Sequence, residues 1–190
     1  MKELFTITYI FNIDLHMAYV PTDLNEADQP SRSISYSDAT LSKESWFLVE
    51  NNYGPHTIDL MFLDSNVMTT KSDTNLRHFT PAPSPLSDGV NFFAQDLSKE
   101  ENPYVSPPFT LIFPVLNFLK QQRVRVCTMI APELVETPQW YPLIKRHTVS
   151  SFVIGNKGQK GVIDVPSKKG YIPDKFGLKS PLLAYRLSFA

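Results

Sequence analysis

Cysteine is almost absent from this chain. Cys127 is its single thiol among 190 residues. One cysteine excludes an internal disulfide framework and a cysteine-rich zinc site. Glycine is scarce as well, 7 residues against 16 prolines. That imbalance argues against a glycine-rich, phosphate-cradling loop and for many stiff connections. Neither sign of charge dominates: 18 Lys and Arg face 19 Asp and Glu, a net charge of -1. A polybasic clamp is excluded, although a local basic face is not. Long hydrophobic runs are missing too. The most apolar window, 109–119, is about half the ~20 residues a spanning helix needs, and it contains Asn117. Asn12 and Asp14 interrupt the N-terminal apolar patch, so no signal peptide is expected.

What is present suffices for a core. Hydrophobic residues make up 42% and aromatics 12%, which fits one ordinary folded domain or one domain plus a fragment of another. Residues 4–20 alternate at strand period up to Pro21, and 21–41 reads as a polar loop. Ser42 is a good N-cap for a helix that Gly54-Pro55 stops. The run 57–63 reads as a buried strand, and 64–90, with prolines at 81, 83 and 85, as one stiff loop. Tyr104-Val105 begins a second strand, 111–122 a helix, 124–131 the clearest buried strand, and 137–144 a short helix. Residues 149–154 and 161–165 flank Gly155-Asn156-Lys157-Gly158 and predict a hairpin, and 182–189 a last strand. Strands alternating with helices imply an open α/β sheet with helices on both faces. The ligand crevice of such a sheet lies at the carboxyl ends of its strands.

Two motifs are expected there. Ser106-Pro107-Pro108-Phe109 follows a strand directly. Consecutive prolines fix the backbone and leave carbonyls without local N–H partners. Ser106 adds an acceptor, and Phe109 offers a stacking face. The set suits a flat group bearing an amino nitrogen, such as an adenine taken out of the base stack. The alternative is a proline-rich turn with Phe109 in the core. The second motif is Asp59 with Asp64 and Asn66. A carboxylate at the end of a first strand can hold a ribose or amino group of a nucleoside cofactor, and the alternative is a solvated loop acid.

Other chemistry is weaker. His16, His56, His78 and His147 show no ligand spacing, and each reads as a surface or loop histidine. The cations of the 121–125 segment, with Lys145, Arg146, Lys157, Lys160, Lys168 and Lys169, could touch phosphates or stay solvated.

Longer stretches carry a resemblance. Tyr19-Val20-Pro21-Thr22 followed by Asn25-Glu26-Ala27-Asp28-Gln29-Pro30-Ser31-Arg32 resembles the end of the RNase H domain in retroelement polyproteins. The family's final metal-binding Asp falls on Asp28. The earlier acids of that site would lie upstream, so Asp28 marks an incomplete site and no RNase H activity is expected. Gly54 to Met61, Leu63-Asp64-Ser65-Asn66, His78-Phe79-Thr80-Pro81, Gly89 to Gln95, Glu101 to Phe109 and Trp140-Tyr141-Pro142-Leu143 resemble the segment that follows RNase H in DIRS-like, tyrosine-recombinase retroelements. That segment is similar to phage-type Dam adenine methyltransferases.

The resemblance implies an RNase H remnant and linker over 1–38 and a Dam-like domain over 39–190. The expected fold is α/β, a Rossmann-like methyltransferase-type open sheet. The implied cofactor is S-adenosylmethionine, held at Asp59, Asp64 and Asn66. Ser106, Pro107, Pro108 and Phe109 are the implied catalytic turn. Implied partners are DNA or RNA–DNA intermediates and the rest of the polyprotein, with no membrane, in the cytoplasm or nucleus. Two departures stand out. Ser106 replaces the family's Asn or Asp and is a shorter, weaker acceptor. Phe62 stands where a small residue is expected near the cofactor. Both point to a domain that keeps the fold and has lost its activity, a scaffold or nucleic-acid module, as the alternative.

Overall fold

The computed structural model describes residues 39–135, 138–167 and 170–190. The expected RNase H remnant, including Asp28, lies outside the described residues, as do Thr137, Lys168 and Lys169.

Ser42 starts the first helix as its sequence demands. Its hydroxyl accepts from the Ser45 N–H, and helix α1 runs Lys43–Tyr53. Gly54 closes it, its N–H donating to the Glu50 carbonyl at 2.9 Å. A side chain there would meet that carbonyl at 2.4 Å, so the close approach requires glycine. Trp46 and Val49 form the buried stripe of α1.

Seven strands build the main sheet: β2 (Ile58–Asp59), β3 (Arg77–Thr80), β4 (Gly89–Val90), β5 (Pro103–Val105), β6 (Cys127–Pro132), β7 (Thr148–Gly155) and β10 (Leu182–Leu187). Their spatial order is β4-β3-β2-β5-β6-β10-β7. β10 is antiparallel to both neighbours and the other pairs are parallel. Helices α2 (Ile112–Gln121) and α3 (Tyr141–His147) return the chain on one face, where Ile112, Val115, Leu116, Leu119 and Ile144 pack on Ile58, Val105, Met129 and Leu183. Helix α1 covers the other face, with Trp46 and Val49 against Tyr104, Ile130 and Ala184. A separate antiparallel sheet of β1 (Thr40–Leu41), β8 (Ile163–Ser167) and β9 (Gly170–Pro173) adds Leu41 to that second cluster. This is the expected Rossmann-like, methyltransferase-type sheet with helices on both faces. The strand order reverses between β2 and β5, which places the switch point beside Asp59 and Ser106.

Several elements differ from the sequence reading. Residues 64–90 are not one loop, because they contain β3 and β4. The connections around them lack regular helices for a local reason. Residues 64–75 are rich in Asp, Ser, Asn and Thr, and 81–85 hold three prolines. The expected hairpin at 149–165 does not form. β7 pairs with β10, Phe152 opposite Ala184, and β8 pairs with β1 and β9. β10 offers β7 a longer and better buried partner than β8 could. His56 and His78 are buried, against the surface expectation.

Candidate functional site

Ser106-Pro107-Pro108-Phe109 leaves the carboxyl end of β5. The two prolines have no N–H to give, so strand pairing stops there. Pro108 opens a single 3-10 turn, Phe109–Leu111, and its carbonyl accepts from the Leu111 N–H at 2.8 Å. The Pro107 carbonyl accepts no hydrogen bond among the described residues. Phe109 is not in the core: it is 63% exposed. That removes the structural alternative for its ring and leaves a free stacking face.

All four residues line a cavity of about 750 Å³. Ile130 and Leu182 form its apolar floor, β1 and β8 contribute Thr40, Leu41 and Ile163, and the 174–180 segment closes the far side. The volume lies within the roughly 300–1,000 Å³ of small-molecule sites. The far wall was not legible in the sequence. Asp174, Phe176 and Lys179 follow β9 in a loop without periodicity, and only the small sheet brings them here. Asp174 is buried, and its carboxylate accepts from the Phe176 N–H at 3.1 Å. The Phe176 ring is 83% exposed. The Thr40 hydroxyl is buried without a partner among the described residues. An aromatic between a buried acid and a glycine (Asp174, Phe176, Gly177) is the one local signal that could have pointed to this loop.

Asp59, Asp64 and Asn66 sit at the carboxyl end of β2 but outside the cavity lining. Asp59 is completely buried, not a solvated loop acid. Its Oδ2 accepts from the Met68 N–H at 3.4 Å, and Oδ1 has no partner among the described residues. Burial pushes its carboxyl well above the ordinary 3.8, against the opposing backbone N–H groups of Met68 and Met61. Asp64 serves the loop. It takes a hydrogen bond from Ser84 and faces His78 Nε2 at 2.7 Å. The Ser84 bond first, then His78, hold its carboxyl below the usual range. The Asn66 side-chain oxygen accepts from the Leu63 N–H at 2.8 Å, a turn staple. Phe62 is buried on the α1 side, its ring 6.2 Å from that of Tyr104.

Tyr104 links the two motifs. It is fully buried opposite Asp59 in the β2–β5 pair, and Ser106 follows two residues later on the same face. Burial first, then the Asp59 carboxyl, push its phenol well above the ordinary 10.0, and the Ser106 hydroxyl acts the other way. Its hydroxyl makes no well-aligned hydrogen bond among the described residues. Asp59, Tyr104 and Ser106 therefore form a polar line from the switch point to the cavity, with two unpaired oxygens in it. Unpaired buried polar atoms are uncommon in folded proteins and mark a place for a ligand or water. Among the described residues no cluster of acids, histidines and cysteines could hold a metal ion. No helix among them is long and apolar enough to cross a membrane.

No family model and no curated protein matches the chain. Solved structures do. A precorrin 8W decarboxylase of Methanobacterium thermoautotrophicum is similar over 77% of this chain and 90% of that one, at 10% identity and a TM-score of 0.41. A tRNA methyltransferase of Aquifex aeolicus matches over 76% and 68%, at 10% identity and a TM-score of 0.42. A SAM-dependent O-methyltransferase of Thermotoga maritima matches over 86% and 71%, at 6% identity and a TM-score of 0.43.

Proposed function

We propose that this chain is a piece of a retroelement Pol polyprotein whose methyltransferase-fold domain receives an adenine of DNA in the Ser106 cavity. One observation carries the reading: the four residues of the Ser-Pro-Pro-Phe turn line one cavity of suitable size, with the Phe109 ring exposed. Phe109 stacks on a base swung out of its helix. The Ser106 hydroxyl and the unpaired Pro107 carbonyl accept from the exocyclic amine and orient its nitrogen. Positioning and fixed dipoles are the whole contribution of these groups, with no covalent intermediate.

The polar line also fits S-adenosylmethionine. The unpaired Asp59 and Tyr104 oxygens offer the donors and acceptors that a nucleoside needs, and Asp59, with Asp64 and Asn66 holding the loop around it, would hold the group. When bound, S-adenosylmethionine supplies the methyl group. Access to Asp59 requires the segment from Leu60 to Met68 to move.

A second reading rests on Phe62 and Asp59. Both are buried in the space beside β2. A cofactor half packed shut leaves a base-binding module without catalysis, which scaffolds the polyprotein or holds its nucleic acid. Calorimetry separates the two. Micromolar binding of S-adenosylmethionine, lost in Asp59→Ala with its circular dichroism unchanged, establishes the enzyme. Absence of that binding, with an adenine-containing single strand still bound and lost in Phe109→Ala, establishes the module. Failure of both ligands on the folded chain rejects the cavity as a base site.

A further inference from the structure

The amino edge of the main sheet gathers positive charge. Helices α2 and α3 both run back from the carboxyl ends of the strands, so both end at the amino edge. Lys120 is in the last turn of α2, and Arg123 and Arg125 lie between α2 and β6. Lys145 and Arg146 are in the last turn of α3, just before β7. The fold joins these two groups through one residue. The Ser188 hydroxyl donates to the Arg125 carbonyl at 2.9 Å, and the Ser188 N–H donates to the His147 carbonyl at 2.9 Å. His147 Nδ1 returns to the Ser188 carbonyl at 3.0 Å. Five cations 26 positions or fewer apart in sequence thus share one edge of the sheet, and all five are exposed.

None of the five pairs with a carboxylate among the described residues. The acids at the same edge belong to its other half, where Glu100, ahead of β5, pairs with Arg77, the first residue of β3. Compensation of the helix dipole accounts for Lys120, Lys145 and Arg146. It does not account for Arg123 and Arg125, which lie beyond the helix. Arg123 in addition holds φ at 51°, a left-handed conformation where glycine is at ease and a long side chain is not. The chain keeps a cation at a place where backbone economy asks for none. Across 120–126 and 143–149 Val149 is the single large apolar side chain that is exposed. A protein partner needs an apolar or aromatic centre to its interface, whereas a phosphate backbone needs charge alone.

We propose that this edge, formed by Arg123, Arg125, Lys145 and Arg146 with Lys120 beside them, is a docking surface for the sugar-phosphate backbone of a nucleic acid. It lies across the sheet from the Ser106 cavity, about 20 Å away along β6, and it works whether or not the cavity is catalytic. It holds the strand without reading its sequence.

The test is fluorescence anisotropy of the whole chain with a labelled, random-sequence 20-base-pair duplex across a salt series. The expected slope of log K against log salt is about -4 to -5 for five neutralised phosphates. Arg123→Gly removes one charge while relieving its backbone, so the loss cannot come from misfolding, and the slope is expected to weaken by about 1. Arg123→Gly, Arg125→Gln, Lys145→Gln and Arg146→Gln together are expected to leave a slope of about -1, from Lys120, with Phe109→Ala leaving the parent slope unchanged. Three outcomes overturn the proposal: binding unaffected by the fourfold variant, a salt slope lost in Phe109→Ala instead, or polyglutamate binding the chain as tightly as the duplex does.

Discussion

His56 Nε2 lies 2.8 Å from Thr128 Oγ1, joining residues 72 positions apart. Around this contact runs a buried chain of polar groups. His56 Nδ1 meets the Glu50 carboxylate at 2.5 Å, and the Arg186 guanidinium donates to Thr128 at 3.0 Å and to Asn102 at 2.5 Å. The Thr128 hydroxyl accepts from Arg186 and so bridges it to the His56 ring. The arrangement resembles a catalytic relay but is closed off by Trp46 and Tyr104, whose rings flank His56 at 5.3 and 5.6 Å. Its work is structural: it ties α1, β6 and β10 together.

Thr128→Val keeps the shape of the side chain and leaves His56 and Arg186 each short of a partner. The expected loss is about 1–3 kcal/mol in urea unfolding, with an unchanged m-value. His56→Ala takes the ring from the buried Glu50 carboxylate, leaves it the residue 56 N–H as donor, and should cost more, about 3–5 kcal/mol. Equal losses in the two variants would show that the chain of hydrogen bonds does not act as drawn.

Asp59 gives stability a pH dependence. Its carboxyl has a higher pKa in the folded chain than the ordinary 3.8, so the folded state prefers the neutral form. The stability it contributes is fully present below that ordinary value and is lost as pH rises through the folded one. Asp59→Asn keeps an acceptor for the Met68 N–H and removes the loss. It should unfold at a higher denaturant concentration than the parent at pH 8, by about 1 kcal/mol or more, and match it near pH 3. A parent as stable as the variant at pH 8 would mean that Asp59 ionises in place.

Cys127 is fully buried, and burial pushes its thiol up to about 12. Thiolate is the reactive form, so a native chain should not react with a thiol reagent at pH 8. Reaction is expected at the rate of global opening, because β6 is the centre of the core. Labelling much faster than unfolding, measured in the same buffer, would place β6 in a locally opening unit.

Phe109→Ala should weaken binding of an adenine-containing single strand by ~1–3 kcal/mol, about ten- to a hundredfold in Kd. Its stability should change little, because the ring is mostly outside the core. Fluorescence titration and thermal unfolding of the same sample check both halves of the statement.

Much was determined by residues acting locally. Ser42 and Gly54-Pro55 bound α1, the prolines at 107 and 108 end β5 and open the turn, and the run from Cys127 to Ala131 is apolar enough to be central. These signals reside within a few residues and survive any tertiary context. Short strands do not. β3 and β4 have four and two residues, and nothing local sets His78-Phe79 apart from a loop. Their assignment comes from pairing: β2 supplies the ladder for β3, and β3 that for β4. Pairing choice is likewise tertiary. β7 and β8 looked like two arms of a hairpin, yet β10, far along the chain, takes β7 because its own inner positions are buried on both faces.

The site divides in the same way. Ser106 to Phe109 could be named from chemistry alone, since proline's missing N–H and an aromatic neighbour act at fixed short range. Whether Phe109 is core or free was undecidable until packing left its ring outside. Asp59 could be named, but its neutral preference comes from burial, which the fold decides by setting it opposite Tyr104 in the β2–β5 pair. Thr40, Asp174 and Phe176 carried no sign of a shared wall. They meet only because the small sheet folds back over the carboxyl ends of β5 and β6. Distance in sequence hid that wall, and burial of Leu41 and Leu178 against Ile130 and Leu182 is the force that assembles it.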